Sequence, residues 1–527
     1  MSSPASLFRL ARAGFVLARA GVFRDVDPAL APPPARLPLA LAKMLARRRA
    51  KGDEGSGLSR LPEAVSALGP SYVKLGQFLA TRPDVVGPDV VRALERLQDR
   101  MAPFPREVAV KIVETAFDQP LEKTFVAFGE PVAAASIAQV HKARIRTGEG
   151  ERDVAVKVLR PGVERRFRRD LTDMFVAARL AERWSEEARR LKPVEVIEQM
   201  ARSVKMEMDF RLEAAAASEF AENVEKDADF GAPWIDWDRT EKDVLTLEWI
   251  EGAPMTDAAA LRAAGFDLPR LGRLVIQSFL RCAMRDGFFH ADMHPGNLFV
   301  RPSGKIVAVD FGIMGRLDFK ERRFLAEILY GFITRDYTRV AQVHFEAGYV
   351  PKIHRVEDFA QAIRAIGEPI HARTADEISM ARLLTLLFEI TGLFDMKTRP
   401  ELVLLQKTMV VVEGVGRALD PRLDMWATAE PVVREWIERN LGPLGRVEDA
   451  GRAAGALGRF AAALPATLLR GEAVLARLEV IAGEGLDLAA PTVERIGAAA
   501  GRGARAGHIA LWIIALCAIA LTLSSWR

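Results

Sequence analysis

The feature that most constrains this chain is an ordered set of polar residues in apolar surroundings. A lysine stands inside Val154-Ala155-Val156-Lys157-Val158. Far downstream comes His290-Ala291-Asp292-Met293-His294-Pro295-Gly296-Asn297, and 13 residues after Asn297 comes Asp310-Phe311-Gly312. A lysine in an apolar strand is costly to bury unless its ammonium meets anions. Phosphoryl transfer needs one carboxylate to receive or orient the nucleophile's proton, with an amide oxygen and a second carboxylate to coordinate divalent ions. Asp292 and Asn297 fit on one tight loop. Asp310 returns beside them if Leu298 to Val300 and Lys305 to Val309 pair as a hairpin across Pro302-Ser303-Gly304. The competing reading makes His290 and His294 a metal pair and Asp310 a turn residue. It leaves the lysine strand and the ordered spacing unexplained.

Around this set the periodicity changes along the chain. Leu58 to Leu68, Tyr72 to Thr81 and Val90 to Arg100 read as helices, separated by Gly69-Pro70 and by Pro83 to Pro88. From Phe125 to Val158, short runs of valine, isoleucine and alanine broken by Gly129-Glu130-Pro131 and Thr147-Gly148-Glu149-Gly150 signal antiparallel strands. Helical stretches follow at Glu164 to Arg190 and Val194 to Val224, then a strand at Val244 to Trp249. Beyond Gly252 the chain reads as mainly helical.

With 527 residues, half of them apolar, the chain exceeds one ordinary core and has globular composition. A net charge of +4, from 74 basic and 70 acidic residues, gives no case for nucleic acid. Cys282 and Cys517 are the only cysteines, too few for a disulfide framework or a cysteine-rich zinc site within one chain.

Both ends suggest a membrane. Ile509 to Leu523 carries no charge and is about long enough to span a bilayer as a helix; Trp512 and Trp526 lie near its ends, and Arg502 and Arg505 before it put the preceding chain on the cytoplasmic side. Residues 1–24 hold Arg9, Arg12, Arg19 and Arg24 with no acidic residue. As a helix they predict a surface element on anionic lipid, with Leu10, Phe15, Leu17 and Val22 mostly opposite the arginines. A docking helix and a mitochondrial presequence are the alternatives.

Further motifs make the chain resemble the UbiB family of atypical kinases, from about Leu58 to Met425. The most specific is Lys74-Leu75-Gly76-Gln77, within Leu68-Gly69-Pro70-Ser71-Tyr72-Val73 and Thr81-Arg82-Pro83-Asp84. Lys74 and Gln77 share a helix face. The resemblance implies that this extension folds over the active site, where a peptide substrate would otherwise bind. In place of a glycine-rich phosphate loop stands Ala133-Ala134-Ala135-Ser136, a replacement characteristic of the family that implies altered nucleotide selectivity. Glu207-Met208-Asp209 matches the family's Glu-x-Asp element. Glu207 and Glu213 lie about 240° apart on an ideal helix, so both cannot reach Lys157. The resemblance favours Glu213 as its partner and assigns Glu207 and Asp209 to contacts with the Lys74 extension. Glu248 to Glu251 would form the adenine-reading hinge.

The resemblance implies an α+β, protein-kinase-like bilobal fold with a small antiparallel-sheet N-lobe, a helical C-lobe and added N-terminal helices; the apolar run Ile509 to Leu523 adds a C-terminal transmembrane helix to this expectation. Segment boundaries are expected at 1–57 (basic segment and linker), 58–120 (helical extension), 121–251 (N-lobe), 252–440 (C-lobe), 441–506 (connector) and 507–527 (tail). The implied ligands are ATP or ADP with Mg2+. The implied role is support of ubiquinone biosynthesis at a bacterial inner membrane, or a mitochondrial one, through polyprenyl phenol intermediates or the enzymes acting on them. Two departures stand out. Met293 replaces a common proline, and no Ala-Pro-Glu follows Asp310, which weakens peptide phosphorylation. No flavin fingerprint or iron-ligand set supports direct hydroxylation. The alternatives are a small-molecule phosphotransferase with a similar His-x-Asp-x-His-Pro-x-Asn loop and a nucleotide-gated, lipid-binding scaffold.

Overall fold

A computed structural model describes residues 4–24, 33–45, 57–80, 82–94, 97, 101–371, 390, 392–396 and 400–442. Residues 1–439 form one compact unit. The segment 443–506 and the apolar run Ile509 to Leu523 lie outside the described residues. Among the described residues no helix is long and apolar enough to cross a membrane.

The chain opens with two helices, α1 (Pro4–Ala20) and α2 (Pro33–Leu45), followed by α3 (Leu61–Leu68), α4 (Pro70–Leu79), α5 (Pro83–Val86) and α6 (Pro88–Leu94). Proline opens five of these six, where its missing N–H is no loss. Gly69 separates α3 from α4 at φ 102°. A side chain there would be strained and would collide with the Arg166 guanidinium, which bonds the Leu68 carbonyl at 3.2 Å.

After α7 (Arg106–Phe117) and the single turn α8 (Leu121–Thr124) come strands β1 (Ala127–Ala134), β2 (Ala138–Thr147) and β3 (Gly150–Leu159). With β5 (Val244–Glu248) they form an antiparallel sheet in the order β1-β2-β3-β5, in which Lys157 pairs with Val140 and Leu245. Alternation along the strands gives this sheet two apolar faces. Val154, Val156 and Val158 pack under α7. Ile137, Leu159 and Leu245 meet the helices on the other side, α9 (Val163–Trp184), α11 (Pro193–Glu207) and α12 (Phe210–Asn223). The short α10 (Glu186–Leu191) lies between α9 and α11.

Two long helices predicted from periodicity are interrupted, and in each case a capping side chain accounts for the break. Ser185 accepts the Ala188 amide and starts α10; Asp209 accepts the Arg211 amide and starts α12. Glu207 and Glu213 therefore occupy different helices, so the single-helix angle does not describe them.

The second lobe begins with β4 (Phe230–Gly231), β6 (Ala253–Pro254), α13 (Ala258–Ala263) and the deeply buried α14 (Leu268–Arg281). Then come β7 (Phe288–His290), β8 (Leu298–Val300), β9 (Ile306–Ala308) and β10 (Met314–Arg316). β8 and β9 form the predicted hairpin, with Leu298 opposite Ala308, while β10 pairs with β7. Helices α15 (Phe319–Ile333), α16 (Tyr337–Glu346), α17 (Val356–His371), α18 (Pro400–Leu419) and α19 (Met425–Leu441) complete the lobe.

The first helix differs from its expectation. Arg9 turns inward and grips Asp173 of α9 through two bonds of 2.5 and 2.7 Å, while Leu17 and Val22 pack with α3 and α6. Phe15, expected opposite the arginines, is 46% exposed, with Phe8 at 74%. Arg12 and Arg19 are exposed on the same arc. One side of α1 is thus committed to the protein, because Asp173 is buried and needs its cation, and the outward side mixes phenylalanine with arginine.

Candidate nucleotide and metal site

The site lies where β3 and α12 face the β7–β10 region. The Lys157 ammonium donates to both Glu213 carboxylate oxygens at 2.8 and 2.9 Å and to Asp310 Oδ1 at 3.1 Å, and lies 5.5 Å from the centroid of the Phe210 ring. The costly buried lysine has the anions its strand demanded. Asp310 sits at φ 65°, a left-handed conformation that aspartate tolerates, with its side chain 51% exposed. The next residue, Phe311, is buried between His290 and Phe220, with ring centroids 5.3 Å away in both cases.

The loop before β8 is built largely by its own side chains. His290 Nδ1 accepts the Asp292 amide at 3.1 Å, so Nε2 must carry the proton it donates to the Val309 carbonyl, also at 3.1 Å. Burial lowers the His290 pKa, in keeping with that neutral tautomer. Asn297 donates to the Asp292 carbonyl at 3.0 Å and sits 3.4 Å from its carboxylate, while its own carbonyl accepts the Val309 amide at 2.9 Å. These bonds bring Asp292, Asn297 and Asp310 to one place. His294 caps the turn through Gly296 and lies 3.7 Å from Asp292. Both ring nitrogens of His290 are engaged by backbone groups, which argues against its joining His294 as a metal pair. Hard oxygen donors from Asp310 and Asn297 do suit Mg2+, which is commonly held by one or two carboxylates together with substrate phosphates.

Electrostatics follow from these contacts. Burial draws the Lys157 pKa down, but Asp310 and Glu213 outweigh it and leave it above the ordinary lysine value. Lys157 holds Asp310 well below the carboxylate range, with Lys74 and His290 adding to the effect. Burial pushes Glu213 up to about 7, with Lys157 opposing and Asp310 reinforcing the rise. A carboxyl whose folded pKa is raised contributes stability that is present below its unfolded value and lost as pH rises through the folded one. Glu213→Gln should therefore gain in Tm relative to the parent as pH rises from about 5 to about 8. Parallel melting curves for the two proteins across that range would contradict the buried-pair assignment.

The other predicted residues divide. Lys74 pairs with Glu207 at 2.5 Å, with side chains 12% and 11% exposed, so neither is the solvated surface residue that bare chemistry favours. Gln77, one turn on, is half-buried. Asp209, expected against the Lys74 extension, instead caps α12 and pairs with Arg211 at 2.8 Å, because its position before the helix engages it locally. Ala133 and Ala134 end β1, and Ala135 and Ser136 make the turn into β2. The Ala135 amide is taken by the Ala138 carbonyl at 2.8 Å, the Ala135 carbonyl by Arg160 at 2.9 Å, and Ser136 is wholly buried. Arg160, missed in the sequence, staples this loop and also reaches Ala102 at 3.1 Å. Its only signal was its place just after the lysine strand. At the expected hinge, Glu248 pairs with Arg301 at 2.6 Å.

A sheet lobe presenting a lysine–glutamate pair to a lobe presenting Asp292, Asn297 and Asp310 defines a protein-kinase-like architecture. The family models agree. Residues 96–344 match the ABC1 atypical kinase-like domain, and residues 363–424 match the UbiB helical domain. A protein of Marinobacter nauticus described as "probable protein kinase UbiB" is 43% identical over 394 residues, covering 74% of this chain and 72% of that protein. One of the same description from Pseudomonas aeruginosa is 42% identical over 406 residues, covering 76% and 75%. A solved structure of a Mycobacterium tuberculosis protein with erythromycin aligns at TM-score 0.47 and 24% identity, over 71% of this chain and 94% of that one. The chain belongs to the ABC1/UbiB family of atypical kinase-like proteins.

Proposed function

We propose that this protein binds ATP or ADP with Mg2+ between its lobes and turns ATP over at a membrane in support of ubiquinone biosynthesis. The observation that carries this reading is the Lys157 ammonium held between Glu213 and Asp310, with Asp292 and Asn297 alongside. Lys157 would ground the nucleotide phosphates, kept in place by Glu213. Asp310 and Asn297 would hold Mg2+, which offsets phosphate charge when bound. Asp292, oriented by the His290 ring and the Asn297 amide, would receive or position the proton of the attacking hydroxyl or water. The acceptor class we favour is a membrane-borne polyprenyl phenol or a partner enzyme acting on one. The Lys74–Glu207 pair favours a restricted site over one open to protein substrates.

A nucleotide-gated scaffold that transfers no phosphate is the second reading, and it rests on that same pair. ATP turnover with and without lipid vesicles and a polyprenyl phenol, together with a search for labelled product, separates the two. Turnover that depends on Asp292 supports the first reading, and nucleotide binding with no turnover under any condition sinks it.

Membrane attachment is read from the run Ile509 to Leu523 and from the outward face of α1 with Phe8, Arg12, Phe15 and Arg19. Truncation after Arg502 is expected to release most of the protein from membranes. If resistance to salt and alkaline extraction is unchanged, the tail is not the main anchor.

A further inference from the structure

We propose that the last two helices of the second lobe, α18 and α19, set the position of the Asp292 loop through Thr408 and Trp436, which makes these two positioning residues for the reaction. The inference rests on the reading of Asp292 as the catalytic carboxylate. The stretch it concerns begins where α14 ends in a wide turn, Cys282–Asp286, which is closed by the Gly287 amide on the Cys282 carbonyl five residues back. The widened turn carries the chain out of the helix and into β7, and a backbone carbonyl buried in such a place needs a partner from elsewhere. Trp436 of α19 supplies one. Its indole N–H donates to the Met284 carbonyl at 2.7 Å, in the interior.

At the other end of the stretch, Ala291 precedes Asp292 directly, and both of its backbone groups are held from outside the loop. Its amide donates to the Ile313 carbonyl at 3.0 Å, just beyond Asp310-Phe311-Gly312. Its carbonyl lies 3.0 Å from the Thr408 hydroxyl, whose single proton is shared with the Leu404 carbonyl of its own helix at 2.8 Å. Thr408 is wholly buried, so no water replaces it. Ala291 is therefore a junction between the catalytic loop, the metal-binding segment and α18.

The placement of α18 is itself fixed by close backbone approach. A Cβ at Gly272 of α14 would lie 2.9 Å from the Gly416 carbonyl, so the two helices meet at a crossing that admits no larger residue. α14 leads into the wide turn and α18 carries Thr408, so this crossing sets the distance that the hydroxyl must span. None of these contacts touches Lys157 or Glu213. Loss of the hydroxyl is thus expected to reach Asp292 while leaving phosphate binding in place.

The test uses the full chain with Thr408→Val, which keeps shape and removes the donor, Thr408→Ser, which restores it, and Trp436→Phe, which keeps a ring without the N–H. Expected results are Mg-nucleotide affinity within about twofold of the parent and turnover reduced about tenfold in Thr408→Val and Trp436→Phe, with recovery in Thr408→Ser. Amide exchange across residues 288–297 should speed up in Thr408→Val and not in Thr408→Ser, a readout that needs no turnover. Parent-like turnover and exchange in Thr408→Val overturn the proposal, and so does a loss that serine fails to rescue, since that marks a packing role only. Asp292→Asn serves as the control: if it leaves turnover unchanged, the reading of Asp292 fails instead.

Discussion

Asp310→Asn is expected to weaken Mg-nucleotide binding by about a hundredfold or more while moving Tm by no more than about 4 °C. The asymmetry comes from geometry. The backbone at Asp310 has φ 65°, a conformation that asparagine adopts as readily as aspartate, so the exchange adds no strain. Lys157 keeps both contacts to Glu213, so no buried ammonium is left without an anion. The Asp310 side chain is half exposed, so solvent takes up part of the lost contact with the mostly buried Lys157. The charge matters only when phosphate and metal arrive, because the amide has a single neutral oxygen to offer. Calorimetric titration of ADP with and without Mg2+, beside thermal melts, checks both halves. Equal affinities in variant and parent would remove Asp310 from the metal site.

The second large effect is expected at Lys74. Its pairing with Glu207 across α4 and α11 is mostly buried, so removal of the ammonium strands a carboxylate and costs up to about 3 kcal/mol, more than a solvated lysine would. Lys74→Ala should therefore be studied beside Lys74→Ala combined with Glu207→Gln, which relieves that carboxylate. With α4 loosened, phosphate incorporation into the protein itself, or a changed nucleotide preference, is expected in both variants. The gain should vanish on adding Asp310→Asn. If parent and Lys74→Ala agree in incorporation and affinity across nucleotides and lipids, the restraining role is wrong.

The sequence made the chemistry more legible than the packing. Lys157, Asp292, Asn297 and Asp310 were readable because each is a polar residue that an apolar strand or tight loop must justify, and the β8–β9 hairpin followed from its Pro302-Ser303-Gly304 turn. Helix interruptions at Ser185 and Asp209 were not read, because periodicity runs through a cap whose side chain acts over only two or three residues. Asp209 was drawn toward Lys74 by its neighbour Glu207, and local capping decided otherwise. The short strands β4, β6, β7 and β10 have two or three residues each, too few for an alternation to register. Phe15 shares an arc of α1 with Arg12 and Arg19 by helix geometry alone, and that arc faces outward because Arg9 pairs inward with Asp173, a residue 164 positions away that no local pattern records. Thr408 and Trp436 left no trace for the same reason, since they reach 117 and 152 positions back along the chain.

A Mg2+-dependent nucleotide site that turns ATP over should release phosphate from ATP. The assay uses the full chain with anionic lipid vesicles and a polyprenyl phenol, run beside Asp292→Asn and Asp310→Asn. The expected result is release in the parent that requires Mg2+, with near-background release in both variants although each remains folded. Release that is equal in all three proteins, or that is absent from a folded parent under every lipid and phenol condition, would contradict it.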